Sequence, residues 1–222
     1  MSPAAPATAL VVGTFFLGLI ASVLWPLTQH LITIAHEGSH AMMGSWTGGK
    51  VQSVKLNRDG TAVTTVPGAN TFFTALVGYA GPSLFGILGV TMLAHGVRPD
   101  VVLWLSLSLL VLLFLRIRNV FGSLATIVAG SLFFLVGHYA TVTGRTVFVY
   151  TWVWFLLLGG FIQAVQLNLK QHGWSSDAGI LRDATKLPRG FWGLLWWFTT
   201  LAALVYGAGV LLGIIDPLLS HS

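Results

Sequence analysis

Apolar runs of roughly 20 residues recur along the chain with short polar stretches between them, and that is the length an α-helix needs to cross the ~30 Å hydrocarbon core of a bilayer. Seven runs are predicted to be membrane helices: 7–25, 27–45, 71–94, 101–115, 119–139, 146–167 and 191–215. The fourth is short and is closed abruptly by Arg116 and Arg118. The first two form one apolar stretch broken only at Trp25-Pro26, and Pro suits the first turn of a new helix, so the stretch is divided there. The first run has no basic leading region and no small-residue cleavage site, so it reads as a retained span rather than a signal peptide.

Two polar segments interrupt the pattern. In 48–67, Val/Thr-rich alternation flanks Arg58-Asp59-Gly60, and Asp-Gly between such runs predicts a hairpin with strands near 51–57 and 61–66. The other, 168–190, carries His172, Asp177 and Asp183. Neither an internal repeat nor a low-complexity segment is visible. The expected fold is an all-α polytopic membrane protein of about seven transmembrane helices with a small cytoplasmic β-hairpin, organised as one domain over 1–222.

Composition supports that class. Of 222 residues, 55% are hydrophobic and 8% charged, whereas a soluble domain carries about 25% charged residues. The net charge of +5 does not indicate nucleic acid, because the basic residues sit between apolar runs, where orientation signals belong. In the seven-span arrangement, Lys50, Lys55, Arg58, Arg116, Arg118, Lys170, Arg182, Lys186 and Arg189 fall on one side, and Arg98 and Arg145 on the other. Nine against two predicts a cytoplasmic N-terminus and an outside C-terminus at the cell membrane. With no cysteine, any metal must be held by His and carboxylate.

The second run contains His36-Glu37-Gly38-Ser39-His40, an HExxH motif. Residues four apart share a helix face, so both imidazoles can reach one ion while Glu37 activates a bound water. Zinc suits imidazole and leaves a tetrahedral position for that water. Glu37 is the only glutamate in the chain, and a carboxylate at membrane depth costs about 2.5–3.5 kcal/mol on insertion scales. The bland alternative, three polar side chains satisfied by neighbouring helices, leaves that cost without a purpose. A catalytic zinc needs a third protein ligand. His30 stands on another helix face, His95 and His138 fall at the outer ends of spans, and His221 is in the tail. On the side of His40, the field is Asp177, Asp183 and His172.

These residues resemble the site-2 protease family of intramembrane zinc metallopeptidases, in particular its small bacterial and plant branch. The likeness runs from about residue 27 to 180: HExxH in a membrane helix, a surface hairpin, then Ala80-Gly81-Pro82 opening the next helix like the family's A-G-P segment. The family also places an Asn some eight residues before an Asp-Gly pair; here Asn168 precedes Asp177-Ala178-Gly179 by nine, without the usual Pro after the Asn and with Ala178 where Gly is expected. The resemblance implies Zn²⁺ held by His36, His40 and Asp177, Glu37 as general base, and Asn168 holding the substrate peptide or its oxyanion. Without the resemblance, Asp177 would serve to cap a short helix over 178–186. The implied substrates are transmembrane helices of other membrane proteins, within the lipid bilayer and without nucleic acid, and any regulatory membrane partner is unidentified.

A helix in lipid shields its own peptide bonds, so a substrate must unwind locally, and the hairpin is expected to pair with the unwound strand. Two competing readings are a non-proteolytic zinc-binding scaffold or regulator derived from the same family, and a transporter. The transporter reading expects two related halves with broken spans, and no such symmetry is visible.

Overall fold

The computed structural model describes residues 8–169 and 176–217. The order is α1 (Thr8–Val23), α2 (Trp25–Trp46), β1 (Ser53–Leu56), β2 (Ala62–Thr65), α3 (Thr71–Ala94), α4 (Pro99–Phe114), α5 (Val120–Tyr139), α6 (Val142–Leu169), α7 (Asp177–Thr185) and α8 (Arg189–Leu211). Every apolar run became a helix, and several apolar helices make this a multi-pass membrane protein. The count of seven spans does not follow. Among the described residues α3, α5, α6 and α8 are each long and apolar enough to cross a bilayer, and α4 is an apolar helix below that length. The helices α1 and α2 meet that standard only as a pair, and the chain turns by 101° between them.

That right angle corrects the expectation at Trp25-Pro26. The break is at Leu24, and Pro26 sits in the first turn of α2 as anticipated. However, two consecutive spans would reverse direction, and helices meeting at 101° cannot both run near one membrane normal. Gly18 explains how α1 is held: a Cβ there would lie 2.8 Å from Trp154 Cβ, so α1 lies directly on α6.

The long helix α6 is the centre of the molecule, with Val149, Val153, Trp154 and Leu157 in the main core. Its Gly159-Gly160 pair permits close helix approach, as small residues do in membranes. A Cβ on Gly159 would sit 2.6 Å from Ile32 Cγ1 of α2, and one on Gly160 would lie 3.0 Å from the Ser83 backbone nitrogen of α3. A second cluster joins Ala75 and Tyr79 of α3 to Leu167 of α6, Ala178 and Leu181 of α7, and Trp192 and Trp196 of α8.

Ala80-Gly81-Pro82 does not open a helix. It lies in the middle of α3, with Pro82 inside and Asn70 as the N-cap. A proline there donates nothing to the carbonyl of Gly78, one turn back, while the preceding carbonyls take side-chain donors from other helices: Thr74 from His40, Leu76 from Trp196 and Val77 from Ser39.

The hairpin forms where Asp-Gly predicts it. The strands are antiparallel, with Val54 opposite Thr64 and Leu56 opposite Ala62. Gly60 has φ +84° and Asp59 Oδ1 accepts from both the N–H and the hydroxyl of Thr61. The strands are shorter than 51–57 and 61–66 because Gln52 also donates to Thr65 O, which Ser53 faces, and this bulge ends the ladder. The outer edge of β1 is closed: Val54 exchanges backbone hydrogen bonds with Arg116 and Arg118, and Leu56 pairs with the Asn119 side chain through both N–H and C=O. The edge left over is β2, where Ala62 and Thr64 turn their backbone groups outward with no backbone partner among the described residues.

Candidate metal centre

The helical pitch brings His36 and His40 together on α2, with Nε2 atoms 3.0 Å apart. His40 Nδ1 donates to the Thr74 carbonyl at 2.7 Å, which can only accept, so the proton is on Nδ1 and Nε2 keeps its lone pair. Tyr79 sets the other ring, edge-on to His36 at 4.8 Å between centroids and packed in turn on Trp196 at 4.9 Å.

Asp177 arrives from far along the chain. Its Oδ2 lies 3.2 Å from His36 Nε2 and 3.3 Å from His40 Nε2. The N-cap of α7 is Ser176, whose hydroxyl accepts from Gly179 N–H at 3.3 Å. Asp177 is therefore the first helical residue, not the cap, and its carboxylate is free to face the histidines. Gly78 makes room for the assembly: a Cβ there would collide with Asp177 Oδ2 and stand 2.5 Å from His40 Cε1.

The remaining sequence-derived residues divide clearly. Glu37 is buried beside the histidines, and the ligand-type atoms of His36, Glu37 and His40 lie within 4.8 Å of one another. Its Oε2 accepts from the Thr64 hydroxyl of β2 at 2.6 Å. Asp183 is not at the site, being exposed and paired with the neighbouring Arg182. His172 lies outside the described residues. Asn168 ties helices together: its Nδ2 donates to Ala164 O at 2.9 Å and to Gly193 O of α8 at 3.0 Å. Sequence reading missed Gly78, Thr64, Thr74 and Tyr79. Only Gly78, three residues before Gly81, gave a local sign, a small-residue spacing on α3.

The donor set fits zinc. Two imidazole nitrogens and a carboxylate oxygen converge, and Asp177 Oδ2 is buried without a hydrogen-bond donor. Separations of 3.0, 3.2 and 3.3 Å compare with about 3.4 Å between ligand atoms of a tetrahedral zinc whose bonds are ~2.0–2.2 Å. Such a set can bind a metal and keep a coordination position for water.

No match was found among curated proteins or among solved structures. A family model described as Peptidase M50B-like does match, over residues 7–207. It spans α1 to most of α8 and so takes in the HExxH helix, the hairpin and Asp177 together, and on that match the chain belongs to the site-2 protease family.

Proposed function

We propose that the protein is a zinc-dependent intramembrane endopeptidase that hydrolyses peptide bonds in or near transmembrane segments of other membrane proteins. The observation that supports this most is the convergence of His36 Nε2, His40 Nε2 and Asp177 Oδ2 with Glu37 beside them. In this reading His36, His40 and Asp177 hold the ion. Bound there, zinc polarises the scissile carbonyl and lowers the pKa of its water to about 7.

The chain's own residues do the rest. Glu37 takes the proton of the attacking water and later delivers it to the leaving amine. Thr64 holds the Glu37 carboxylate from the hairpin side, which orients the base. A substrate unwound from its helix has unpaired backbone groups, and the outward N–H and C=O groups of Ala62 and Thr64 offer it a strand to pair with, next to the base. Both hydrogens of the Asn168 amide are engaged by backbone carbonyls; to hold an oxyanion it would have to release them, so its role in this reading is to position α8 against α6. The nine-to-two charge distribution supports a cytoplasmic hairpin and α7 and an outside C-terminus.

The test measures metal content and cleavage in the same preparations. Purified protein should carry about one zinc per chain, lost in His40→Ala and Asp177→Ala. Glu37→Gln should keep the metal and lose cleavage of a transmembrane reporter by about 10²–10⁴-fold. Metal-free wild type would defeat the reading, and undiminished cleavage by Glu37→Gln would leave a zinc-binding scaffold.

A further inference from the structure

On the face of α2 turned away from His36 and His40, the helices enclose a cavity of about 470 Å³. Its wall on α2 is Leu31, Ile34, Gly38, Ala41 and Ser45, a spacing of three and four that marks one helix stripe. Gly38 is two residues from His36 and from His40, about 200° around the helix from each, so this space is separate from the metal centre. The opposite walls are α3, α4 and α6, and the lining is apolar apart from one end and Ser106 of α4, whose hydroxyl is taken up by Val102 O.

At that end stand Lys50 and Arg116 with Trp46. Both cations are exposed. Among the described residues neither side chain makes an ion pair or hydrogen bond, whereas Arg98 and Arg182 are paired with Asp100 and Asp183. They come together because Val54, four residues after Lys50, accepts and donates across the Arg116–Arg118 segment. The apolar wall along α4 runs from Val102 to Leu113, about 16 Å at the helical rise, which is close to half of the ~30 Å hydrocarbon core.

We infer that this groove is a binding site for an anionic phospholipid of the leaflet at the hairpin end. One acyl chain lies between α2, α3, α4 and α6, and the phosphate sits on Lys50 and Arg116. A pocket that is apolar for the depth of one leaflet and doubly basic at its mouth matches an anionic lipid in both parts. A transmembrane helix of another protein would run the full ~30 Å of the hydrocarbon core, about twice the length of this groove. The inference does not depend on proteolysis.

The test reconstitutes the full chain into vesicles of equimolar phosphatidylglycerol and phosphatidylcholine, extracts it gently, and identifies retained lipid by native mass spectrometry. Wild type should retain one phosphatidylglycerol, enriched about 30-fold over phosphatidylcholine, as two cations near a membrane surface imply. The exposed-site double variant Lys50→Gln/Arg116→Gln should lose that enrichment. Ser106→Trp, which fills the groove from α4, should lose the retained lipid of either kind. Unchanged phosphatidylglycerol preference in the double variant overturns the inference, as does full retention in Ser106→Trp. So does finding a second copy of the chain, in place of lipid, held by wild type and released by Ser106→Trp.

Discussion

The hydroxyl of Thr64 donates to Oε2 of Glu37 at 2.6 Å, joining the exposed edge strand of the hairpin to the buried carboxylate of the HExxH helix. The contact links the hairpin to the candidate metal centre in one hydrogen bond. It makes the hairpin part of the site and gives the first prediction. Thr64→Val keeps the shape and removes the donor. A hydrogen bond to a charged group is worth about 1.5–3 kcal/mol, so cleavage should fall by about 10- to 100-fold with metal content unchanged. Thr64→Ser should restore most of it. Equal rates for the Val variant and wild type would remove Thr64 from the base's orientation.

The free edge can be tested at Ala62, whose N–H points away from β1. Proline is tolerated where a strand's N–H faces outward, so Ala62→Pro should leave the hairpin and the metal in place. Pairing with an extended substrate would lose one donor, and KM for a reporter peptide should rise while zinc per chain stays constant. Deleting 51–66 altogether should abolish cleavage and leave zinc bound, and retained cleavage after that deletion would exclude strand pairing.

Gly78 has no side chain because Asp177 and His40 use the space. Gly78→Ala should push these two apart and weaken zinc binding by about 10- to 100-fold, the usual effect of disturbing the surroundings of a metal site. Competition with a zinc chelator reads this directly, and far-ultraviolet circular dichroism should show the helices unchanged. Zinc affinity equal to wild type would show that α3 gives way there without cost.

Asn168→Ala separates two roles for the amide. It removes the donor that ties α6 to Gly193 O of α8, and a hydrogen bond of this kind contributes about 0.5–1.5 kcal/mol. Thermal unfolding in detergent should therefore come several degrees lower, with zinc retained. A variant of unchanged stability with cleavage lost through kcat alone would instead assign Asn168 to the oxyanion.

The parts of this molecule that were legible in the sequence are those encoded within a turn or two of chain. Asp59-Gly60 signals the hairpin because Gly can hold φ +84° and Asp can accept from Thr61 locally. His36, Glu37 and His40 could be named together because helical pitch alone decides who shares a face. Less legible was Asp177, which sequence left beside Asp183 and His172: Asp177 and Asp183 differ in which direction α7 turns them, and Ser176 set that by taking the cap. The Ala80-Gly81-Pro82 segment, expected to open a helix, instead lies inside the run 71–94 that became α3, since Pro favours a first turn but is accommodated mid-helix when neighbours use the carbonyls around it.

A helical membrane protein with a hairpin and a His-Glu-His group follows from the chain alone, because hydropathy runs and i, i+4 spacing are properties of the chain before it packs. It took packing to turn α1 by 101° from α2, to bring Asp177 to histidines more than a hundred residues earlier, and to let Thr64 reach Glu37. Those outcomes depend on where small residues let helices approach, at Gly18 against Trp154, Gly78 against His40 and Gly159 against Ile32. A glycine's position can be read from the chain, but the helix that comes to fill the space beside it is chosen by the packing of the whole.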